Sequence, residues 1–464
     1  MAHQSVKEWK ILNECTKKDF PEIYQPDNFL HPKLLKVLYS RGIDTPKKLS
    51  LFLNGGLEDL ASPFLFEQMQ TAVDRIRRAI DNEEFILVYG DRDVDGITAV
   101  NIVVDTIRKL GGLVVWYVPS SEGYGIHKDI LSQYASNDIK VLITVDCGIC
   151  AKEEIEYAKS LGMDVILTDH HEPVEDAFPK PFACLDPKVK DSRYPFKDLA
   201  GCGVALKLSW ALIMSYEKQY AKQNLLFIAS GDGQDFSGKL LWLYNDVEIS
   251  RKDFQDLADL KAEIKNAYRV YTSSKECAQA LISRDVLLKD KIIIFDEEAD
   301  TLEKILSLKL KRDFAAQPYY DFFNENLDIC ALGTIADSMP LLDENRIIVK
   351  EGLKVLAKFP NARPGLGLLI EDTLKTKTSY NITAKSISWL VTPVLNSAGR
   401  MGRGSLSAQL LMARDKFQAQ TLYTDIIKLN AERKWLQLEN IWQFKSLLKQ
   451  QCDIEKDKVL IVQA

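Results

Sequence analysis

Three aspartates stand at alternate positions where an apolar run ends. The run covers residues 85–90, Asp91, Asp93 and Asp95 follow it, and a glycine comes next. Carboxylates this close repel one another, so a compensating cation is expected. The pattern also opens an EF-hand calcium loop, but that loop needs a Glu at its twelfth position, where this chain has Ile102. A divalent-cation site of another kind therefore competes with a solvated acidic turn.

The same design recurs along the chain. The other apolar runs and the residues that follow them are 141–145 with Asp146, 165–168 with Asp169, His170 and His171, and 329–336 with Asp337. Since ligands of open α/β sheets bind at the carboxyl ends of the strands, these side chains are predicted to converge there. A lone histidine would more often be a core or capping residue, but the recurrence favours a metal site. The excess of carboxylates predicts Mn2+ or Mg2+, and the imidazole favours manganese.

Apolar runs alternate with amphipathic segments between residues 85 and 210. The runs typical of strands are 85–90, 113–118, 141–145, 165–168 and 182–185. Apolar residues at helical spacing separate them, as at Ile97, Val100, Val104 and Ile107. This alternation predicts an α/β fold, a parallel doubly wound sheet with helices on both faces.

The remaining segments predict how the chain is divided. The expected divisions are a helical N-terminal cap at 1–80, the first part of the sheet domain at 81–212, an inserted small α/β module at 213–325, completion of the sheet domain at 326–415, and a long connector helix with the start of a truncated second lobe at 416–464.

Composition is that of a globular protein with a substantial core. The chain has 464 residues, 46% hydrophobic and 27% charged, which predicts two or three domains. No apolar run approaches the roughly 18 residues of a membrane helix, and the first ten residues do not resemble a signal peptide. A cytoplasmic protein with no membrane partner is therefore expected. The net charge of -6 does not by itself favour nucleic acid, although bound metal and local arginines can supply a positive field.

Two arginines lie among small residues near the end of the chain. Arg400 and Arg403 fall in the segment 390–403, which also contains Asn396 and two glycines. This composition predicts a loop in which a phosphate approaches backbone amides beside guanidinium donors. An ordinary surface loop fits the same pattern.

Taken together, these motifs resemble the DHH phosphoesterase superfamily, and within it the RecJ-type single-stranded-DNA-specific exonucleases. The motifs, in the family's order, are Arg41-Gly42, Asp91-x-Asp93-x-Asp95-Gly96, Val145-Asp146-Cys147-Gly148, Asp169-His170-His171, residues 201–207, residues 332–337 and residues 396–401. One departure is Arg92, which stands where the family usually carries an aromatic residue.

The resemblance implies roles for particular residues. The implied ligands of two divalent ions, Mn2+ or Mg2+, are Asp93, Asp95, Asp146, His170 and Asp337. Asp91 and His171 are the implied catalytic residues, with His171 facing the substrate phosphate. The residues expected to contact that phosphate are Asn396, Arg400 and Arg403.

The implied activity is hydrolysis of single-stranded DNA from its 5′ end, releasing mononucleotides, in DNA repair and recombination. Two ions can activate a water and clamp phosphate oxygens, so no protein nucleophile is needed. Single-stranded DNA is the implied partner, with a single-strand-binding protein or a repair helicase beside it. Two alternatives stay open: a phosphodiesterase for short oligonucleotides or cyclic dinucleotides, and a catalytically idle DHH-type binding module. Because the family continues into a second lobe, the chain is expected to be the N-terminal catalytic part of a longer protein.

Overall fold

A helical segment precedes the central sheet. The computed structural model describes residues 30–452, except 121, 233–234, 359–362 and 375–381, and also residue 459. The first helices are α1 (Pro32–Ser40), α2 (Pro46–Asn54) and α3 (Met69–Asp81). The part of the expected N-terminal cap before residue 30 lies outside the described residues, as does most of the second-lobe strand expected after residue 452.

A five-stranded parallel sheet follows. Its strands are β1 (Phe85–Gly90), β2 (Val114–Tyr117), β3 (Ile139–Val145), β4 (Asp164–Thr168) and β5 (Ala183–Leu185). They lie in the order β2-β1-β3-β4-β5, and every neighbouring pair is parallel. The chain reverses its direction of winding between β1 and β3, the place where ligands bind in sheets of this order. The predicted parallel doubly wound sheet is confirmed.

Helices cover both faces of this sheet. They are α4 (Val94–Lys109), α5 (Lys128–Ala135), α6 (Lys152–Ser160) and α7 (Gly201–Ser215). Successive residues of a strand point to opposite faces. Ile86 and Val88 therefore join the core formed with α4 and α7, while Leu87 and Tyr89 join the core formed with α5 and α6.

A second sheet occupies the predicted insert. Its strands are β6 (Gln223–Ser230), β7 (Ser237–Tyr244), β8 (Val247–Phe254), β9 (Arg269–Thr272) and β10 (Ile292–Ile294), in the order β10-β9-β6-β7-β8. The pairs β6/β7 and β7/β8 are antiparallel, whereas β6/β9 and β9/β10 are parallel. Its helices are α8 (Leu257–Asn266), α9 (Lys275–Arg284) and α10 (Leu302–Phe314).

The rest of the described chain is helical. Its helices are α11 (Gln317–Ala336), α12 (Asp343–Lys358), α13 (Pro364–Leu374), α14 (Ala384–Ser386), a π-helical turn at Ile387–Val391, α15 (Thr392–Arg400), α16 (Ser405–Met412) and α17 (Lys416–Gln451). Helix α11 packs against α4 and α7. The first half of α17 buries Ala419 and Ile426, whereas Trp435 and Trp442 in its second half are exposed. Among the described helices, none is both long and apolar enough to cross a membrane.

A buried ion pair fixes α7 against α12. Lys207 Nζ lies 2.5 Å from Glu344 Oε1, and both side chains are buried. Tyr194 Oη donates to the other oxygen of Glu344 at 2.6 Å, and the backbone N–H of Ala61 donates to Oε1 at 2.8 Å. Removing one partner of such a pair leaves an uncompensated charge in the core. The pair therefore helps to hold α7, whose N-terminus reaches the site described next.

Candidate metal centre

The strand ends bring the predicted ligands together. Asp91 follows β1, Asp146 follows β3, and Asp169 and His170 follow β4. Three groups have ligand atoms within 4.8 Å of one another: Asp91, Asp93 and Asp146; Asp95, His170 and Asp337; and Asp146, His170 and His171. All seven residues predicted for metal binding or catalysis thus lie at one edge of the sheet.

Helix N-termini hold two of the aspartates. Asp93 is the N-cap of α4, and its Oδ1 accepts a hydrogen bond from the backbone N–H of Gly96 at 3.1 Å. Asp95 faces the first turn of α7, where its oxygens accept from the N–H groups of Gly201 at 2.7 Å and Cys202 at 2.9 Å. Free N–H groups at a helix start stabilise negative charge. Both carboxylates are therefore fixed in position before any cation binds.

The surroundings of Asp146 favour a bound cation. Its backbone is left-handed, with φ of 58°, and its side chain is buried. Burial, and then the charges of Asp95 and Asp93, raise the pKa of this carboxyl. Among the described residues, none donates a hydrogen bond to its Oδ1. A buried carboxylate oxygen without a donor is costly unless a positive ion lies beside it.

His170 completes this part of the site. Burial lowers the pKa of His170, so its imidazole is neutral. Its Nε2 lies 3.1 Å from Asp146 Oδ1, 3.7 Å from Asp337 Oδ2 and 3.8 Å from Asp95 Oδ2. Neighbouring ligands of an octahedral ion with bonds of about 2.1 Å are about 3.0 Å apart. The spacing of Asp146 and His170 therefore suits a shared divalent ion.

Asp337 reaches the cluster from a helix. It is the C-cap of α11, so the apolar run 329–336 is not a strand like the other runs that precede the ligands. Burial, and then the charges of Asp95 and Asp93, raise the pKa of Asp337 to about 7. The C-terminal end of a helix carries partial negative charge, which also favours a cation.

The pKa values of Asp91 and Asp93 are raised as well. Burial raises the pKa of Asp91 to about 6, and burial together with Asp95 raises that of Asp93. The metal-free cluster thus retains protons that a divalent ion would displace. Carboxylate oxygens with one neutral imidazole are the donor set that suits Mn2+ or Mg2+.

Asp169 and His171 form a separate pair. Nδ1 of His171 donates to Asp169 Oδ1 at 2.7 Å, and this hydrogen bond raises the pKa of His171 to about 9. Asp169 is buried, but hydrogen bonds from His171 and from the N–H groups of Ile149 and His170 lower its pKa. His171 is therefore a cation at neutral pH, and 57% of its side chain is exposed. The sequence patterns did not predict that Asp169 positions His171, although the location of Asp169 directly after β4 could have indicated it.

The segment around Asn396 packs against the metal-binding turn. Asn396 Oδ1 accepts from the backbone N–H of Val94 at 3.1 Å, and a Cβ atom at Gly399 would lie 2.7 Å from the carbonyl oxygen of Arg92. The prediction of a loop here was wrong, because α15 continues to Arg400. The small residues allow the helix to approach the turn, and the helical N–H groups are not free for a phosphate.

A groove of about 870 Å³ runs from this turn along α17. Its walls include Arg92, Tyr124, Arg400, Arg433 and Phe444. Arg403 is exposed and is not among the described residues that form these walls. Arg433 and Phe444 had not been linked to the site from the sequence, since only the docking of α17 brings them there.

Comparisons with known proteins agree with this architecture. Residues 85–231 match the model of the DHH family, N-terminal domain. The chain is 29% identical over 429 residues to the single-stranded-DNA-specific exonuclease RecJ of Bacillus subtilis, covering 92% of this chain and 40% of the relative. It is 27% identical over 428 residues to the RecJ exonuclease of Dickeya dadantii, covering 91% of this chain and 57% of the relative.

A solved structure shows the same fold. The structure of RecJ in complex with Mn2+ from Thermus thermophilus superposes with a TM-score of 0.55 at 23% identity, over 90% of this chain and 44% of that chain. The chain thus spans about half the length of the curated relatives it matches. The resemblance seen in the motifs is confirmed: residues 85–231 match the DHH family, N-terminal domain, and the chain is similar over about nine-tenths of its length to RecJ-type exonucleases.

Proposed function

We propose that this chain is the catalytic part of a divalent-metal-dependent exonuclease that hydrolyses single-stranded DNA from the 5′ end. The observation that carries the proposal is the convergence of Asp91, Asp93, Asp146, His170 and Asp337 at one sheet edge. The names of the relatives from Bacillus subtilis and Dickeya dadantii support the same activity. Two ions of Mn2+ or Mg2+ are the proposed cofactors, in line with the Mn2+ named in the Thermus thermophilus structure.

The ligand residues would be Asp93, Asp95, Asp146, His170 and Asp337. Bound divalent ions lower the pKa of water and neutralise phosphate oxygens. Asp91, whose pKa burial raises to about 6, would accept a proton from the attacking water. The imidazolium of His171 donates a hydrogen bond to a phosphate oxygen. Cys147 is no nucleophile, since burial raises the pKa of its thiol.

The direct test is hydrolysis of 5′-phosphorylated single-stranded DNA by the purified protein with Mn2+. Mononucleotides should be released, and Asp146→Ala should abolish their release. Asp176→Ala is the matched control, since Asp176 is an exposed carboxylate that does not belong to the cluster. Equal rates for the wild type and Asp146→Ala would disprove the proposal.

A series of substrate lengths separates the proposed exonuclease from the alternatives. The open groove along α17 favours a strand of several nucleotides. Rates that vanish beyond a few nucleotides would instead indicate a phosphodiesterase for short oligonucleotides or cyclic dinucleotides. Absence of Mn2+ binding in calorimetry would indicate an idle binding module. The cytoplasmic location and a single-strand-binding protein or repair helicase as partner stay predictions.

A further inference from the structure

Arg92 lies between Asp91 and Asp93 in the sequence, and its guanidinium forms no ion pair with a described carboxylate. Its guanidinium stacks over the ring of Tyr124, with Cζ 4.1 Å from the ring centroid. The guanidinium donates one hydrogen bond to a described residue, from Nη1 to the carbonyl oxygen of Ser120 at 3.4 Å, whereas the backbone N–H of Arg92 donates to Asp91 Oδ1 at 2.7 Å. No described carboxylate oxygen lies within 4.0 Å of its guanidinium nitrogens. The side chain is thus held by a ring and one weak hydrogen bond, which leaves most of its five N–H donors unused.

Arginines with a structural role in this protein are bound differently. Arg75 lies 2.7 Å from Glu84 and 2.5 Å from Asp164, and Arg363 lies 3.1 Å from Asp105. Their guanidinium groups are fixed by buried or half-buried carboxylates. Arg92 lacks such an anion among the described residues, so its charge and donors are available to a ligand.

Two further arginines continue the positive surface. Arg400 is exposed, lines the groove, and pairs with no described carboxylate. Gly399 beside it lets α15 approach the Arg92 backbone. Among the residues that the structure describes, Arg433 of α17 bonds to the side-chain oxygens of Asn430 and Gln437 and to no carboxylate. The groove therefore concentrates unpaired positive charge beside a cluster of aspartates in a chain of net charge -6.

Aromatic rings accompany these charges. Tyr124 is 65% exposed although it carries the Arg92 guanidinium, and Phe444 on the α17 wall is 47% exposed. Arginines that follow a backbone and rings that stack on bases are the two features of single-strand binding without sequence preference. A site for a divalent cation or for a carboxylate ligand would not need both arginines and exposed rings.

We propose that Arg92, braced on Tyr124, binds the phosphate of the single-stranded substrate that neighbours the scissile one, and that the strand continues past Arg400 to Arg433. This role rests on the proposed function, since the metal centre defines which phosphate is cleaved. Arg92 is a specificity-determining residue here, because its guanidinium binds a neighbouring phosphodiester that an oligonucleotide has and a mononucleotide lacks.

Equilibrium binding tests this role without turnover. The probe is a 12-nucleotide oligothymidylate with a 3′-fluorescein label, measured by anisotropy in Ca2+ across a salt series, with a gel to show that it stays intact. Arg92→Gln should raise Kd about tenfold or more, as expected for a lost charge-assisted contact. It should also reduce the slope of log Kd against log salt by about 0.7, the value for one phosphate contact on a single strand.

Arg108→Gln is the matched control, since this exposed arginine stands near the far end of α4, roughly 20 Å from its first residue. It should change neither Kd nor the salt slope, and the Mn2+ affinity measured by calorimetry without DNA should be unchanged in both variants.

If Arg92→Gln does not fold, Arg92→Lys replaces it as the test, because lysine keeps the charge but lacks the planar guanidinium. A Kd several-fold higher than that of the wild type supports the role. A wild-type Kd and slope in the Arg92 variant, or no binding by the wild type, would overturn it. Absence of hydrolysis by a wild type that binds the probe through Arg92 would contradict the proposed function and leave this role standing.

Discussion

Gly201 lies directly against Asp146. A Cβ atom at Gly201 would stand 2.5 Å from Asp146 Oδ1, while the backbone N–H of Gly201 donates to Asp95 at 2.7 Å. The first residue of α7 therefore fixes one ligand by a hydrogen bond and admits the other by having no side chain.

Gly201→Ala should consequently weaken metal binding by displacing Asp146. We expect Mn2+ affinity to fall about tenfold or more in calorimetry, since the displaced carboxylate is a proposed metal ligand. Gly203→Ala is the control on the same helix, because its Cβ would meet only the flexible side chain of Leu199, at 3.2 Å. Equal Mn2+ affinities in the two variants would contradict the placement of Asp146.

Proton and metal should compete at the carboxylate cluster. The pKa of Asp337, about 7, and that of Asp91, about 6, exceed the ordinary value of 3.8. At these two carboxyls the native metal-free protein binds more protons than the unfolded chain between about pH 4 and 7, so their contribution to the free energy of unfolding falls as pH rises through this range. Mn2+ affinity should rise from pH 6 to pH 8 as the protons leave.

Thermal unfolding at pH 5.5 and pH 8, with and without Mn2+, checks this dependence. Because of these carboxyls, the Tm of the metal-free protein should be lower at pH 8 than at pH 5.5. The rise in Tm that Mn2+ causes should be larger at pH 8. A Mn2+-induced rise that is the same at both pH values would show that these carboxyls do not exchange protons for metal.

Asp169→Asn should release the charge of His171. The hydrogen bond from Nδ1 of His171 would lose its anionic acceptor, so the pKa of His171 should fall from about 9 toward the ordinary 6.5. Histidine resonances titrated by NMR with Mg2+ report this pKa, and His171→Gln assigns the signal. A His171 signal that titrates near 6.5 already in the wild type would refute the pair.

Asn396→Ala should loosen the turn that carries the ligands. It removes the acceptor for the backbone N–H of Val94, a buried residue, and should lower the free energy of unfolding by about 1–3 kcal/mol. Urea unfolding measures the loss. Asn396→Asp retains an acceptor, so with Mn2+ bound it should lose less stability than Asn396→Ala. An alanine variant as stable as the wild type would mean that this contact does not hold the turn.

The sequence was most informative about the buried parallel strands and the residues that follow them. A buried parallel strand requires an apolar run, and its carboxyl end must lie at the ligand edge, so Asp91, Asp146 and His170 could be placed together without coordinates. Asp337 was expected at the same site, but an apolar run of that length fits a buried helix as well as a strand, and α11 is a helix.

Contacts between segments far apart in the sequence could not be predicted from local sequence patterns. Small residues around Gly399 suit both a phosphate loop and a tight helix contact, and only the hydrogen bond between Val94 and Asn396, 302 positions apart, shows which applies. The groove walls from Arg433 and Phe444 depend on how α17 docks, which periodicity along one helix does not specify.

The spin-coupling of bound Mn2+ tests the shared metal centre most directly. Electron paramagnetic resonance during a Mn2+ titration should show two ions per chain in an exchange-coupled spectrum, because Asp146 belongs both to the group with Asp91 and Asp93 and to a group with His170. Asp146→Asn should abolish the coupling. A wild-type spectrum of magnetically isolated Mn2+, or one that Asp146→Asn leaves unchanged, would contradict the account.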